Sequence, residues 1–184
     1  MLITRTPRLL AAVVVASALA LGLVFVADAS NPGHGQGHSS HGKGHATIAR
    51  VRAAVAHFHR VETARSAGWD LVPGLDHCFE SDAGGMGVHY INTGLLMDTT
   101  LDPRQPEALV YQHRPNGKLR LGAVEYIVPA DLWDAEGHSG PPRVLGHDLH
   151  LNSDLGVYVL HAWIFTYNPA GTFEDWNPRV SCPD

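Results

Sequence analysis

The chain has 184 residues, 45% of them hydrophobic and 17% charged, with a formal net charge of −5. That is ordinary globular composition and enough chain for one domain. There is no basic stripe and no nucleic-acid motif, so nucleic acid is excluded as an expected partner.

The N-terminus reads as an export signal. Arg5 and Arg8 precede an uncharged run from Leu9 to Ala27, and Ala27-Asp28-Ala29 fits the small-x-small cleavage rule. Residues 1–29 are therefore expected to be a signal peptide and the protein to be secreted or extracytoplasmic. If the run stays uncleaved it becomes a membrane anchor, since it is nearly long enough to span a bilayer. No Cys directly follows the run, which argues against a lipoprotein. Cys78 and Cys182 lie in the mature part, and in an oxidising compartment they are expected to form a disulfide. The alternative is two free thiols. A redox pair is disfavoured because the two are far apart and not in a Cys-x-x-Cys arrangement.

Residues 30–45 are Gly, Ser and His with no apolar side chain to bury, which predicts a flexible linker. His34, His38, His41 and His45 lie in it. Such a tract can capture Zn²⁺, Cu²⁺ or Ni²⁺ loosely, or it can be a solvated spacer. From residue 46 to 184 a single α+β domain is expected. Ala46–Gly68 is predicted to be one long helix: Ile48, Val51, Val55, Phe58, Val61 and Ala64 recur at three and four residues. Thr47 can cap its start and Gly68 can stop it. His57 and His59 flank the stripe.

Trp69–Gly85 reads as irregular connection. Met86–Asn92 alternates as a short strand, with His89 on the face of Ile91. Leu95–Pro106 is expected to be a loop. Glu107–His113 and Lys118–Val128 form a hairpin around Pro115-Asn116-Gly117. Strict alternation puts Leu119, Leu121, Ala123, Glu125 and Ile127 on one face. Pro129–Trp133 begins a short helix. Gly137–Asp154 is loop-like and contains His147-x-x-His150. Val157–Phe165 is an apolar strand with His161 between Val159 and Trp163, and a turn at Asn168–Gly171 leads into the tail. Helix and strands are segregated, which predicts one long N-terminal helix packed on a curved antiparallel sheet.

Glu125 poses the chemical question. An ionised carboxylate among apolar neighbours requires a partner, a metal or a raised pKa. Three apolar strands each carry one metal-capable side chain: His89, Glu125 and His161. Two imidazoles and a carboxylate bind divalent ions such as Zn, Cu or Fe and leave open positions. His150, or His147, is a candidate fourth ligand. The competing readings are a structural His–Glu network inside a ligand- or partner-binding domain, and a metal-dependent enzyme using the same three residues. No Gly-x-Ser-x-Gly elbow is present, and Gly84-Gly85-Met86-Gly87 is not a phosphate-binding loop.

Several segments together resemble an uncharacterised family of small exported bacterial proteins. They are Ala67-Gly68-Trp69, Gly85–Tyr90, Pro106–Tyr111, Gly122–Tyr126, Leu160–Trp163, Asn168–Gly171 and Trp176-Asn177-Pro178 near Cys182. The resemblance implies a shared domain and export, and no particular chemistry.

Overall fold

The computed structural model describes residues 39–183. The expected signal peptide and anchor lie outside the described residues, as does the expected linker up to residue 38. Among the described residues no helix is long and apolar enough to cross a membrane.

The architecture is a curled antiparallel sheet with short helical segments, not a sheet packed under one long helix. The apolar stripe predicted over Ala46–Gly68 is divided among three pieces. Helix α1 spans Ser39–Val55, a 3₁₀ turn covers Ala56–His59, and α2 spans Val61–Ser66. Arg60 between them is extended, with φ −93° and ψ 116°. The reason is tertiary. In a continuous helix the Phe58 carbonyl would accept an N–H one turn on. Instead it accepts the Tyr111 hydroxyl at 2.5 Å. The Phe58 ring is buried against Trp69, with ring centroids 4.8 Å apart. Gly68, at φ +102°, ends the segment where the sequence suggested.

Six strands make the main sheet: β1 Cys78–Ser81, β2 Gly84–Ile91, β3 Ala108–His113, β4 Leu119–Pro129, β7 His150–Asn152 and β8 Val157–Ala162. Their order is β1-β2-β3-β4-β8-β7 and every pairing is antiparallel. Strands β5 (Arg143–Val144) and β6 (His147–Asp148) form a separate ribbon. Short helices α3 (Thr93–Leu96) and α4 (Ala130–Ala135) complete the elements of the described residues. Strand β1 falls in the stretch expected to be irregular, and β5 to β7 in the stretch expected to be a loop. These pieces are two to four residues long, too short for a period to register.

One face of the sheet packs on the helical segments. Val88, Tyr90, Leu109, Tyr111, Val124, Tyr126 and Leu160 join Val51, Val55, Phe58 and Trp69 there. Leu121 belongs to this face too, which corrects the alternation expected through β4. The β3–β4 register shifts between Val110 and Tyr111, so that Val110 opposes Ala123 while Tyr111 opposes Leu121. Gly122 is the extra residue of a β-bulge. A Cβ there would meet the Gln112 side chain at 2.6 Å, and its carbonyl accepts the N–H groups of Phe165 and Thr166. The bulge sends Leu119 and Leu121 to the helix side and leaves Ala123, Glu125 and Ile127 on the other.

The C-terminal tail is strapped to the β1–β2 end. Cys78 and Cys182 are disulfide-bonded across a separation of 104 residues. Gly85 exchanges backbone hydrogen bonds with Asn177, and its N–H also meets the Val180 carbonyl. At Gly84, with φ +119°, a Cβ would lie 2.3 Å from the Asn177 carbonyl oxygen, so only glycine allows this crossing.

Two outcomes follow for stability. Replacing both cysteines by serine should lower the unfolding free energy by about 4–5 kcal/mol, the chain-entropy value for so long a loop, as read by urea denaturation. Glu107 is 1% exposed and accepts the Ile127 N–H at 3.1 Å. Burial pushes its carboxyl from an ordinary 4.5 up to about 8. A carboxyl raised on folding contributes stability that is fully present below about pH 4.5 and is lost as pH rises through about 8. Glu107→Gln keeps the acceptor and removes the charge. It should flatten that decline, gaining on the order of a few kcal/mol over wild type above pH 8.

Candidate metal centre

The face opposite the helices carries two small apolar clusters. One is Ile91, Ala108, Ile127 and Val159, and the other is Val110, Ala123, Trp163 and Val180. Glu125, His89 and His161 share this face with them. Glu125 on β4 is directly opposite His161 on β8. His89 on β2 is one strand further away, across β3, whose residues paired with His89 and Glu125 are Val110 and Ala108. Both are short, so the imidazole and the carboxylate meet above them.

All three side chains are buried: His89 and Glu125 are 6% exposed and His161 1%. Their metal-capable atoms lie within 4.8 Å of one another, close enough to hold an ion. His89 Nε2 is 3.2 Å from His161 Nε2 and 3.3 Å from Glu125 Oε2. His161 Nδ1 is 3.3 Å from Glu125 Oε1 and 3.4 Å from Asp175 Oδ1, yet makes no aligned hydrogen bond to either. The His89 and His161 rings stand nearly perpendicular, at 86°.

The protonation states are set by burial and by neighbouring charge. Loss of solvent, with His161 adding to it, pushes His89 down to about 3, so this imidazole is neutral. Burial also raises the Glu125 carboxyl, against the pull of His161. Burial would lower His161 as well, but the carboxylates of Glu125 and Asp175 outweigh it and hold this ring above its ordinary value. Asp175 feels the same opposition in reverse. Burial raises it, and His161 and His150 together bring it below the usual carboxylate range.

His150 does not join the group. It is exposed on β7 and pairs through Nε2 with Asp175 Oδ2 at 2.9 Å. It therefore touches the site through Asp175. His147 packs on Phe173 with ring centroids 4.0 Å apart, also away from the three. Of the tract histidines, His34 and His38 lie outside the described residues.

Asp175 was not found from the sequence. It lies in an irregular tail with no periodicity to mark it. The one usable signal was the expected Cys78–Cys182 bond, which returns the acidic pair Glu174-Asp175 to the sheet. The tail is held there by the Trp163 indole N–H on the Glu174 carbonyl at 2.6 Å and by the Asn168 amide on the Trp176 carbonyl at 3.0 Å.

A pocket of about 400 Å³ opens over the three residues. Apart from them and Asp175 its walls are mainly apolar, among them Phe79, Met86, Ile91, Leu96, Ile127 and Val159.

Comparison with protein-family models, with curated proteins and with solved structures finds no match for this chain.

Removing one member of such a buried polar group strands the others. Glu125→Leu should cost about 3–5 kcal/mol in urea denaturation of the metal-free protein, and adding His89→Leu and His161→Phe should recover most of it. A single Glu125→Leu variant as stable as wild type would show that the imidazoles do not depend on the carboxylate.

Proposed function

We propose that this is an exported metal-binding protein that holds one divalent transition-metal ion between His89, Glu125 and His161. The observation that carries the reading is a spacing. The donor atoms of the three residues are 3.2 Å and 3.3 Å apart along two edges. The edge of a tetrahedral site with bonds of about 2.0–2.1 Å is about 3.3 Å. His89 is neutral, which is the form that ligates. Asp175 beside the Nδ1 atom of His161 is the outer carboxylate that commonly orients a ligating imidazole.

The ligand set narrows the ion. Both cysteines are consumed in the disulfide, so no thiolate is on offer. Two nitrogens and one oxygen suit Zn²⁺, Cu²⁺ or Fe²⁺ better than Cu⁺, Ca²⁺ or Mg²⁺. The disulfide fits an oxidising, extracytoplasmic compartment, as export through residues 1–29 requires. In this reading the histidines of residues 34–45 gather the ion loosely and the sheet holds it. The pocket over the three residues favours a second reading on the same site, a metal-dependent enzyme, because three protein ligands leave positions for substrate or water.

The test separates tract from sheet. In the full chain carrying His34→Ser, His38→Ser, His41→Ser and His45→Ser, elemental analysis after dialysis against Zn²⁺ should find about one equivalent of metal. Asp175→Asn in that background should weaken binding by about 10–100-fold, and His161→Ala should abolish it. A folded tract variant that takes up neither Zn²⁺, Cu²⁺ nor Fe²⁺ overturns the proposal.

A further inference from the structure

Resting on the metal reading above, we propose that the pocket binds a small apolar monoanion whose oxygen head group occupies an open position on the ion. A medium-chain carboxylate is the simplest member of that class. Four observations on the site lead there.

The first is shape. The pocket is about 400 Å³ with His89, Glu125 and His161 in its lining. A water takes about 30 Å³, so the volume holds roughly a dozen non-hydrogen atoms, the size of a small organic molecule. The second is the character of the walls. Phe79, Met86, Ile91, Leu96, Ile127 and Val159 present hydrocarbon and sulfur, so a ligand body that fills the space must be apolar.

The third is charge. A divalent ion with one carboxylate and two neutral imidazoles carries a net charge of about +1 in apolar surroundings, where an uncompensated charge is costly. That count covers the ion and its three ligands alone; Asp175 adds a negative charge nearby, but it stands beside Nδ1 of His161, pairs with His150, and does not itself fill the open position. A monoanionic oxygen donor does. The fourth is what the lining lacks. No Lys or Arg is among the described residues that line the pocket, so no side-chain cation there competes with the ion. An anionic head group therefore has the ion as its anchor, and the metal-free pocket, bordered by Glu125, Asp154 and Asp175, should refuse it.

The experiment uses the full-length tract variant loaded with Co²⁺, whose visible d–d bands report ligands entering the coordination sphere. Acetate, butyrate, hexanoate and octanoate are titrated against it. Affinity should rise about fourfold per added methylene until the pocket is full, and the bands should shift at each saturation. The same acids should not bind the metal-free protein. Val159→Phe shortens the space beside His161 and should move the preferred acid to a shorter chain. Leu96→Phe, at a half-buried position, serves where Val159→Phe does not fold. Intact Co²⁺ bands that octanoate leaves unchanged would overturn the ligand while sparing the metal site. So would equal affinities along the series, or tighter binding of octylamine than of octanoate. Absence of Co²⁺ bands would overturn the metal reading, and the ligand with it.

Discussion

The structure is organised by one expensive placement, a carboxylate on the apolar face of a central strand. Glu125 is 6% exposed and its strand is flanked on both sides by others. A buried charge persists only where opposite charge or good hydrogen-bond donors meet it. β8 supplies His161 directly across the ladder, and β2 supplies His89 from beyond β3. Neither imidazole could arrive if the strands slipped by one residue, because a slip of one turns every side chain to the other face. The polar group therefore specifies register across four strands, from β2 to β8, while contributing little net stability of its own.

The Gly122 bulge makes the placement tolerable. Without it, Leu119 and Leu121 would share a face with Glu125, and the helix-side core would lose them. With it, the two leucines turn toward Tyr111 and Val124, and the half of β4 that follows delivers Glu125 to the pocket side. This is also where sequence reasoning fails for a physical reason. A period of two identifies a strand but not a bulge within it, since one inserted residue leaves each half alternating correctly. The strands β2, β3, β4 and β8 were legible because their alternation is strong and their turns carry Gly, Pro or Asn. The identity of the three polar residues was legible because each interrupts an apolar run. The helix break at Arg60 was not. It depends on the Tyr111 hydroxyl reaching the Phe58 carbonyl from 53 residues away, and spacing within the stripe carries no trace of that bond.

Asp175 shows a second limit. Its place beside His161 depends on a tail returned by the disulfide, by the Gly84–Asn177 crossing and by the Trp163 indole. None of these is local in sequence to the strands it serves.

The two faces of the sheet divide the work. The helix side is filled by large side chains, Tyr111 and Tyr126 among them, both fully buried. The other side mixes small residues, Ala108, Ala123, Val110 and Val159, with larger ones such as Ile91, Ile127 and Trp163, and leaves a pocket of about 400 Å³. The space that remains lies over His89, Glu125 and His161. A merely structural His–Glu network would be better served by walls that fill the volume above it, since each void in a packed core forfeits dispersion contacts. A site that must admit an ion and something bound to it needs that volume kept open.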